Sequence, residues 1–118
     1  WFLKKYSHLD KWIVSATPQG EIREIVRKRK LGSFFVGVYG SPKRKSIIVD
    51  EILNNHNLML EETVLVGDSL SDYNAAIKNK IDFVLRITSQ NISLFEDKKR
   101  AFDVRDFYEF DRKLFNHI

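Results

Sequence analysis

The sequence predicts an α/β fold: one doubly wound parallel sheet with helices on both faces, in a single domain covering residues 1–118. Three observations lead there. Short apolar runs alternate with stretches of helical rhythm from Lys11 to Ile87, the pattern left by successive βαβ units. The apolar run Val64-Leu65-Val66 stops at Gly67, and Asp68 and Asp72 follow, so carboxylates stand at the carboxyl end of a strand. Open parallel sheets hold their ligands at that end. The chain is 43% hydrophobic and 31% charged over 118 residues, a globular composition with one modest core.

The elements follow in order. Trp1–Leu9 reads as helical, but it starts without a capping residue and the first residue is not Met. The expectation is a piece of a longer protein lacking its amino-terminal part. Lys11–Ser15 is a short β-branched strand, and Pro18-Gln19-Gly20 interrupts it. Glu21–Lys30 is helical, with Ile22, Ile25 and Val26 in phase and acids before bases, as the helix dipole favours. Phe34–Tyr39 is the second strand, and Gly40-Ser41-Pro42 turns the chain. Lys45–Asn57 is a helix with Ile47, Ile48, Ile52 and Leu53 as its apolar stripe. Thr63–Val66 is a buried strand, Ser71–Lys80 a helix and Ile81–Ile87 a strand. Thr88–Lys99 has no clear period and reads as a loop or short helix; Phe102–Val104 closes the strands and Phe107–Phe115 is a last helix.

Composition narrows the function. Without cysteine, the chain has neither disulfides nor thiolate metal sites, which fits a reducing compartment and a cytoplasmic location. No apolar run approaches the roughly 20 residues that span a bilayer. The net charge of +4 mildly favours anionic ligands. Bases cluster at Arg23, Arg27, Lys28, Arg29 and Lys30 and again at Lys43–Lys45, but no nucleic-acid motif accompanies them, so they read as solvated faces. His8, His56 and His117 lack ligand spacing and read as surface or partly buried residues, while Trp12 and the phenylalanines are expected in the core.

Three constellations stand at strand ends. Ser15 closes the first strand, where its hydroxyl and the next backbone N–H, that of Ala16, could hold a phosphate oxygen; a plain turn residue is the alternative. Gly40-Ser-Pro-Lys-Arg-Lys45 puts bases at a helix start, where the dipole disfavours them, so an anionic ligand would explain them; Lys43 and Lys45 compete for that role. Gly67-Asp68-Ser-Leu-Ser-Asp72 offers two acidic oxygen donors suited to a hard cation such as Mg²⁺, although Ser71 or Asp72 could be an ordinary helix cap. A hydroxyl, a cation and a carboxylate pair at one sheet edge are what phosphoryl transfer requires. A receiver-type phosphoacceptor domain would carry its acids before its lysine, and here Lys45 comes first.

From Lys11 to Ile87 the chain resembles the haloacid dehalogenase-like superfamily, in its phosphoglycolate phosphatase-like subgroup. Ile13-Val-Ser15 is similar to the strand ending in a phosphate-binding Ser or Thr. Gly40-Ser-Pro-Lys-Arg-Lys45 looks like the subgroup's Gly-Ser-Pro-x-x-Lys, which favours Lys45, and Gly67-Asp68-x-x-x-Asp72 matches the acidic motif. The resemblance implies a Rossmann-like core and a Mg²⁺-dependent phosphatase acting on a small phosphorylated metabolite. Ser15, Ala16 and Lys45 would hold the phosphoryl group; Asp68 would be a metal ligand, and Asp72 a ligand or its support. The family's nucleophile motif, Asp-x-Asp, occurs nowhere in the chain. The expectation is a core incomplete at its amino terminus, with no cap domain, a nucleophile outside residues 1–118, and no activity from this segment alone. A non-catalytic binding or regulatory domain of the same fold is the alternative.

Overall fold

The computed structural model describes the backbone of residues 1–117 and side chains through Leu114. Five parallel strands form two separate ladders. Strand β1 (Trp12–Pro18) pairs with β2 (Gly37–Ser41). Strands β3 (Val64–Gly67), β4 (Asp82–Arg86) and β5 (Phe102–Val104) pair in the order β3-β4-β5. The helices are α1 (Phe2–Lys5), α2 (Gln19–Lys28), α3 (Lys45–Asn55), α4 (Leu70–Lys78) and α5 (Phe107–His117). The alternation predicts parallel α/β layers and the resemblance implies a partial Rossmann-like core; both are found, with the strands in two ladders rather than one sheet. Among the described residues no ladder joins β1 to β3, so each has a strand partner on one side only.

β4 organises the packing. Its side chains alternate between faces. Phe83 and Leu85 join Val49, Leu53, Ala75, Ala76, Ile81 and Phe95 on one face, with Val14 and Leu65 packed against them. Val84 joins Val104 and Phe110 on the other, with Phe2, Phe102 and Leu114 alongside. A strand buried on both faces is what makes a run such as Phe83-Val84-Leu85 continuously apolar.

Several local expectations are corrected. The amino-terminal helix shrinks to the single turn of α1. β1 runs on through Pro18, which caps α2 directly. From Val14↔Tyr39 to Pro18↔Ser41 the chain takes four steps on β1 against two on β2, so Ser15 lies inside an irregularity of the strand rather than at its end. The apolar pair Phe34-Phe35 forms a 3₁₀ turn and its exit, and β2 starts later, at Gly37. Gly40 is required at that crossing because a Cβ there would collide with the Thr17 carbonyl. Val64 and Val66 are each 41% exposed, so β3 is only half-buried; the side away from β4 has no strand against it. In α3 the buried stripe is Ile48, Val49, Ile52 and Leu53, while Ile47 faces out. Phe95 sits deep in the core on the 3₁₀ turn Ile92–Phe95, inside the segment without period. Phe107 is exposed and Trp12 only half-buried. His8 and His56 are exposed, and the side chain of His117 lies outside the described residues.

The helix ends are alike. Lys30, Asn57 and Lys80, which follow α2, α3 and α4, take left-handed φ values of 57°, 51° and 58°. The next N–H in each case returns to a carbonyl five residues earlier: Leu31 to Val26, Leu58 to Leu53 and Ile81 to Ala76. That is the Schellman arrangement, in which the following apolar residue tucks under the helix.

Candidate active site

The acidic loop is built around Asp72. Ser69 is the N-cap of α4, and its hydroxyl accepts from the Asp72 N–H at 3.2 Å while the Asp72 carboxylate reaches back to the Ser69 N–H at 3.3 Å. This capping box settles the start of α4, and the cap is Ser69, neither Ser71 nor Asp72. The Asp72 Oδ2 also accepts from the Ser69 hydroxyl at 2.9 Å and from the Asp68 N–H at 3.2 Å. Gly67 permits this return, because a Cβ there would overlap the Asp72 side chain.

The other oxygen of Asp72 faces Lys45. α3 begins with Lys45, has no acid in its first turn and no side-chain cap. A cation there opposes the helix dipole. The Asp72 Oδ1 offsets that cost by accepting from the Lys45 ammonium at 2.8 Å, and the Ser71 hydroxyl accepts from it at 3.2 Å. Both members of the ion pair are largely sheltered, at 16% and 13% exposure. Lys43 pairs with Glu51 of α3 at 2.9 Å and lines a cavity that Lys45 also lines. Of the two competing lysines, then, Lys45 is the one placed against the acidic motif.

Asp68 contrasts with Asp72. Its carboxylate is 57% exposed, and the nearest cation, Arg86 at the end of β4, is 3.9 Å away. Asp72 has four donors on its two oxygens, whereas Asp68 keeps its lone pairs open. Among the described residues no group of three or more His, Cys, Asp or Glu comes together to hold a metal ion. An open carboxylate beside a strand end still fits Mg²⁺, which commonly takes one or two carboxylates and fills its shell with water and phosphate oxygens. On this chain Asp68 is the residue able to supply that ligand, and Asp72 is already engaged.

On the other ladder, the Ser15 oxygen accepts from the Thr17 N–H at 3.0 Å. That leaves the hydroxyl proton of Ser15 free to donate elsewhere. Ser15 and Ala16 share a cavity of about 540 Å³ with Ser41, Arg44, Lys45 and Ser71. The hydroxyl, the lysine and one serine of the acidic loop thus meet across one opening, while Asp68 is not among its lining residues.

A family model for haloacid dehalogenase-like hydrolases matches residues 5–86. The chain belongs to that family. Solved structures of haloacid dehalogenase-like proteins share its fold. A family hydrolase from Streptococcus pneumoniae superposes with a TM-score of 0.81 at 18% identity, over 96% of this chain and 56% of that one. A superfamily hydrolase from Ehrlichia chaffeensis gives 0.77 at 21% identity, over 98% and 55%. The core domain of a presumptive phosphoglycolate phosphatase, also from Streptococcus pneumoniae, gives 0.71 at 14% identity, over 97% and 80%. The chain therefore spans little more than half the length of the first two. No curated protein sequence matches it.

Reading the sequence missed three contributors to this region of the family core. Ser69 was legible as Ser-x-x-Asp, the capping-box spacing, but Ser71 and Asp72 competed with it. Arg86 lay unremarked inside the strand expected over Ile81–Ile87. Asn91, whose side chain donates to the Asp68 carbonyl at 3.0 Å, gave no local signal.

Proposed function

We propose that this chain supplies the phosphate- and metal-binding part of a Mg²⁺-dependent phosphomonoester hydrolase that acts on a small phosphorylated metabolite. The nucleophilic aspartate would come from outside residues 1–118. The observation that carries this reading is the Lys45 ammonium, set at a helix start, held 2.8 Å from Asp72 and opening onto the cavity that Ser15 lines. Pre-oriented cations and donors aimed at developing charge are the largest single contribution in reactions of this kind.

Each residue has a distinct task. The Ser15 hydroxyl and the Ala16 N–H donate to non-bridging phosphoryl oxygens. Lys45 offsets the charge shared by phosphate and nucleophile. Asp72 holds Lys45 and ties it to the Asp68 loop, and Asp68 offers an oxygen to the cation. When bound, Mg²⁺ would polarise the phosphoryl group and neutralise part of its charge. An aspartyl-phosphate formed on the external carboxylate would split the displacement into two easier steps.

The test uses the full-length natural protein with p-nitrophenyl phosphate. EDTA should abolish turnover and Mg²⁺ restore it. Lys45→Met and Asp68→Ala should each lower kcat/KM by about 10²–10³-fold, the usual effect of removing one charge-stabilising group. Residues 1–118 alone should be inert. EDTA-insensitive hydrolysis by the full-length protein, or turnover by the isolated segment that vanishes in Asp68→Ala, would refute the reading.

A further inference from the structure

We propose that Asn91 is a positioning residue for the Asp68 carboxylate; this rests on the reading of Asp68 as the Mg²⁺ ligand. Asn91 is the one buried polar residue among those described, 7% exposed. A buried amide is costly unless its hydrogen bonds are made, and this one makes them all. Its Nδ2 donates to the Asp68 carbonyl and to the Arg86 carbonyl, each at 3.0 Å. Its Oδ1 accepts from the Thr88 N–H at 2.8 Å, and its own N–H donates to the Thr88 hydroxyl at 3.2 Å. The reciprocal Thr88 bonds fix the rotamer of Asn91, so the two amide protons point in set directions.

Those directions coincide with the end of the ladder. The β3–β4 register runs out at Gly67↔Leu85. The next residues on the two strands are Asp68 and Arg86, and both of their carbonyls converge on the Asn91 amide. One side chain thus extends the pairing of the strands by a step that the backbone does not make. Asp68 is then held on both flanks, by Asn91 at its carbonyl and by the Asp72 Oδ2 at its N–H. With both peptide groups fixed, φ and ψ of Asp68 are fixed, and they set where its Cβ points. The carboxylate itself remains open, with Arg86 3.9 Å away. Asp72 also serves Lys45, whereas Asn91 has no contact with Lys45, so the Asn91 clamp can be loosened without disturbing the lysine.

The experiment measures divalent-ion affinity in the full-length protein, by Mg²⁺ titration calorimetry and by Mn²⁺ electron paramagnetic resonance. The variants are Asn91→Leu, which keeps the shape and removes the donors, and Asn91→Ser, which tolerates water on a stretch with exposed neighbours. Asp68→Ala reports loss of the ligand, and Leu53→Ala, in the core, reports the effect of lowered stability alone. Asp68→Ala should abolish binding. Both Asn91 variants should weaken Kd about tenfold, the usual consequence of losing a group that orients a metal ligand. Their kcat at saturating Mg²⁺ should recover to within about twofold of the wild type, because the ligand itself survives. Leu53→Ala should leave Kd unchanged. A folded Asn91 variant with wild-type Kd, alongside an Asp68→Ala variant that binds nothing, overturns the positioning role and leaves the reading of Asp68 intact. An Asp68→Ala variant that binds as the wild type does overturns both.

Discussion

The two ladders are held by different means. In the β3-β4-β5 ladder, Phe83, Val84 and Leu85 are shut off from water and contact apolar clusters on both faces. In the β1-β2 ladder Gly40 is the sole buried residue, and Val14 reaches the main core only as a partly buried neighbour. The firm strand is β4; β3, from which the acidic loop springs, and β1, which carries Ser15, have no buried residue. Ser15, Lys45 and Ser71 are brought onto one cavity by α3 and by the Lys45–Asp72 pair. The core thus sets most of the stability, while a few polar bonds between the halves set the geometry of the site.

Core truncations should expose this asymmetry most strongly. Phe83→Ala should cost about 3–5 kcal/mol in denaturant unfolding, whereas Val14→Ala, at a half-exposed position, should cost about 1 kcal/mol. Equal losses at the two sites would remove the distinction between the ladders. The next largest effect lies at the seam. Asp72→Ala removes the Lys45 partner, the return bond of the α4 capping box and the bond to the Asp68 N–H, and should cost about 2–4 kcal/mol. Asp68→Ala should stay within about 0.5 kcal/mol of the wild type because its carboxylate is exposed and loosely paired. Thermal unfolding of both variants checks the contrast.

Two shifted titrations lie beside the β3-β4-β5 ladder, at Asp103 and Tyr6. Asp103 is held below the usual carboxylate range by its hydrogen bonds to Arg100, at 2.6 and 2.9 Å. A depressed folded-state value stabilises the protein above the unfolded value and is lost as pH falls through the depressed one. Stability should therefore decline below about pH 4, and Asp103→Asn should reduce that acid-side slope, by less than about 1 kcal/mol since the pair is partly solvated. The opposite sign applies to Tyr6, whose hydroxyl donates to Asp111 at 2.6 Å and whose pKa is pushed up to about 12. Its contribution is complete below the unfolded value near 10 and disappears as pH rises toward the folded one. Ultraviolet difference titration should show Tyr6 ionising late, and Asp111→Ala should bring it back toward about 10. The smallest expected effect is a gain. Lys30 holds a left-handed conformation at no evident functional site, so Lys30→Gly should stabilise the β1-β2 half by about 0.5–1 kcal/mol, read from the denaturation midpoint.

Much of this was legible in the sequence because periodicity and strand-end chemistry are local. Val64-Leu-Val-Gly-Asp announced a strand and the acidic loop that leaves its end, and Phe102–Val104 was placed within its true bounds. Errors arose where a residue's local preference was set against its tertiary partner. Pro18 reads as a breaker, but it can finish a strand and open a helix because neither position needs its N–H. Phe34-Phe35 reads as strand, yet the apolar pair is used in a turn. Val64 and Val66 read as buried because the alphabet of a central strand and that of a half-exposed one are the same. Asn91 was beyond reach for another reason. Its decisive partner, Asp68, is 23 residues away, and neither periodicity nor spacing records such a bond.

Asp72 carries a last consequence. One of its oxygens holds the Lys45 ammonium and the other holds the Asp68 N–H. On the proposed reading, an anion drawn to Lys45 competes with the first oxygen for the ammonium, and a cation drawn to Asp68 pulls on the loop that the second one anchors. If both ligands bind as proposed, their affinities are thermodynamically linked, and by reciprocity each should change the other's binding by the same factor. Titrating inorganic phosphate with and without Mg²⁺, and Mg²⁺ with and without phosphate, measures that factor twice, and Asp72→Asn should bring both values toward one.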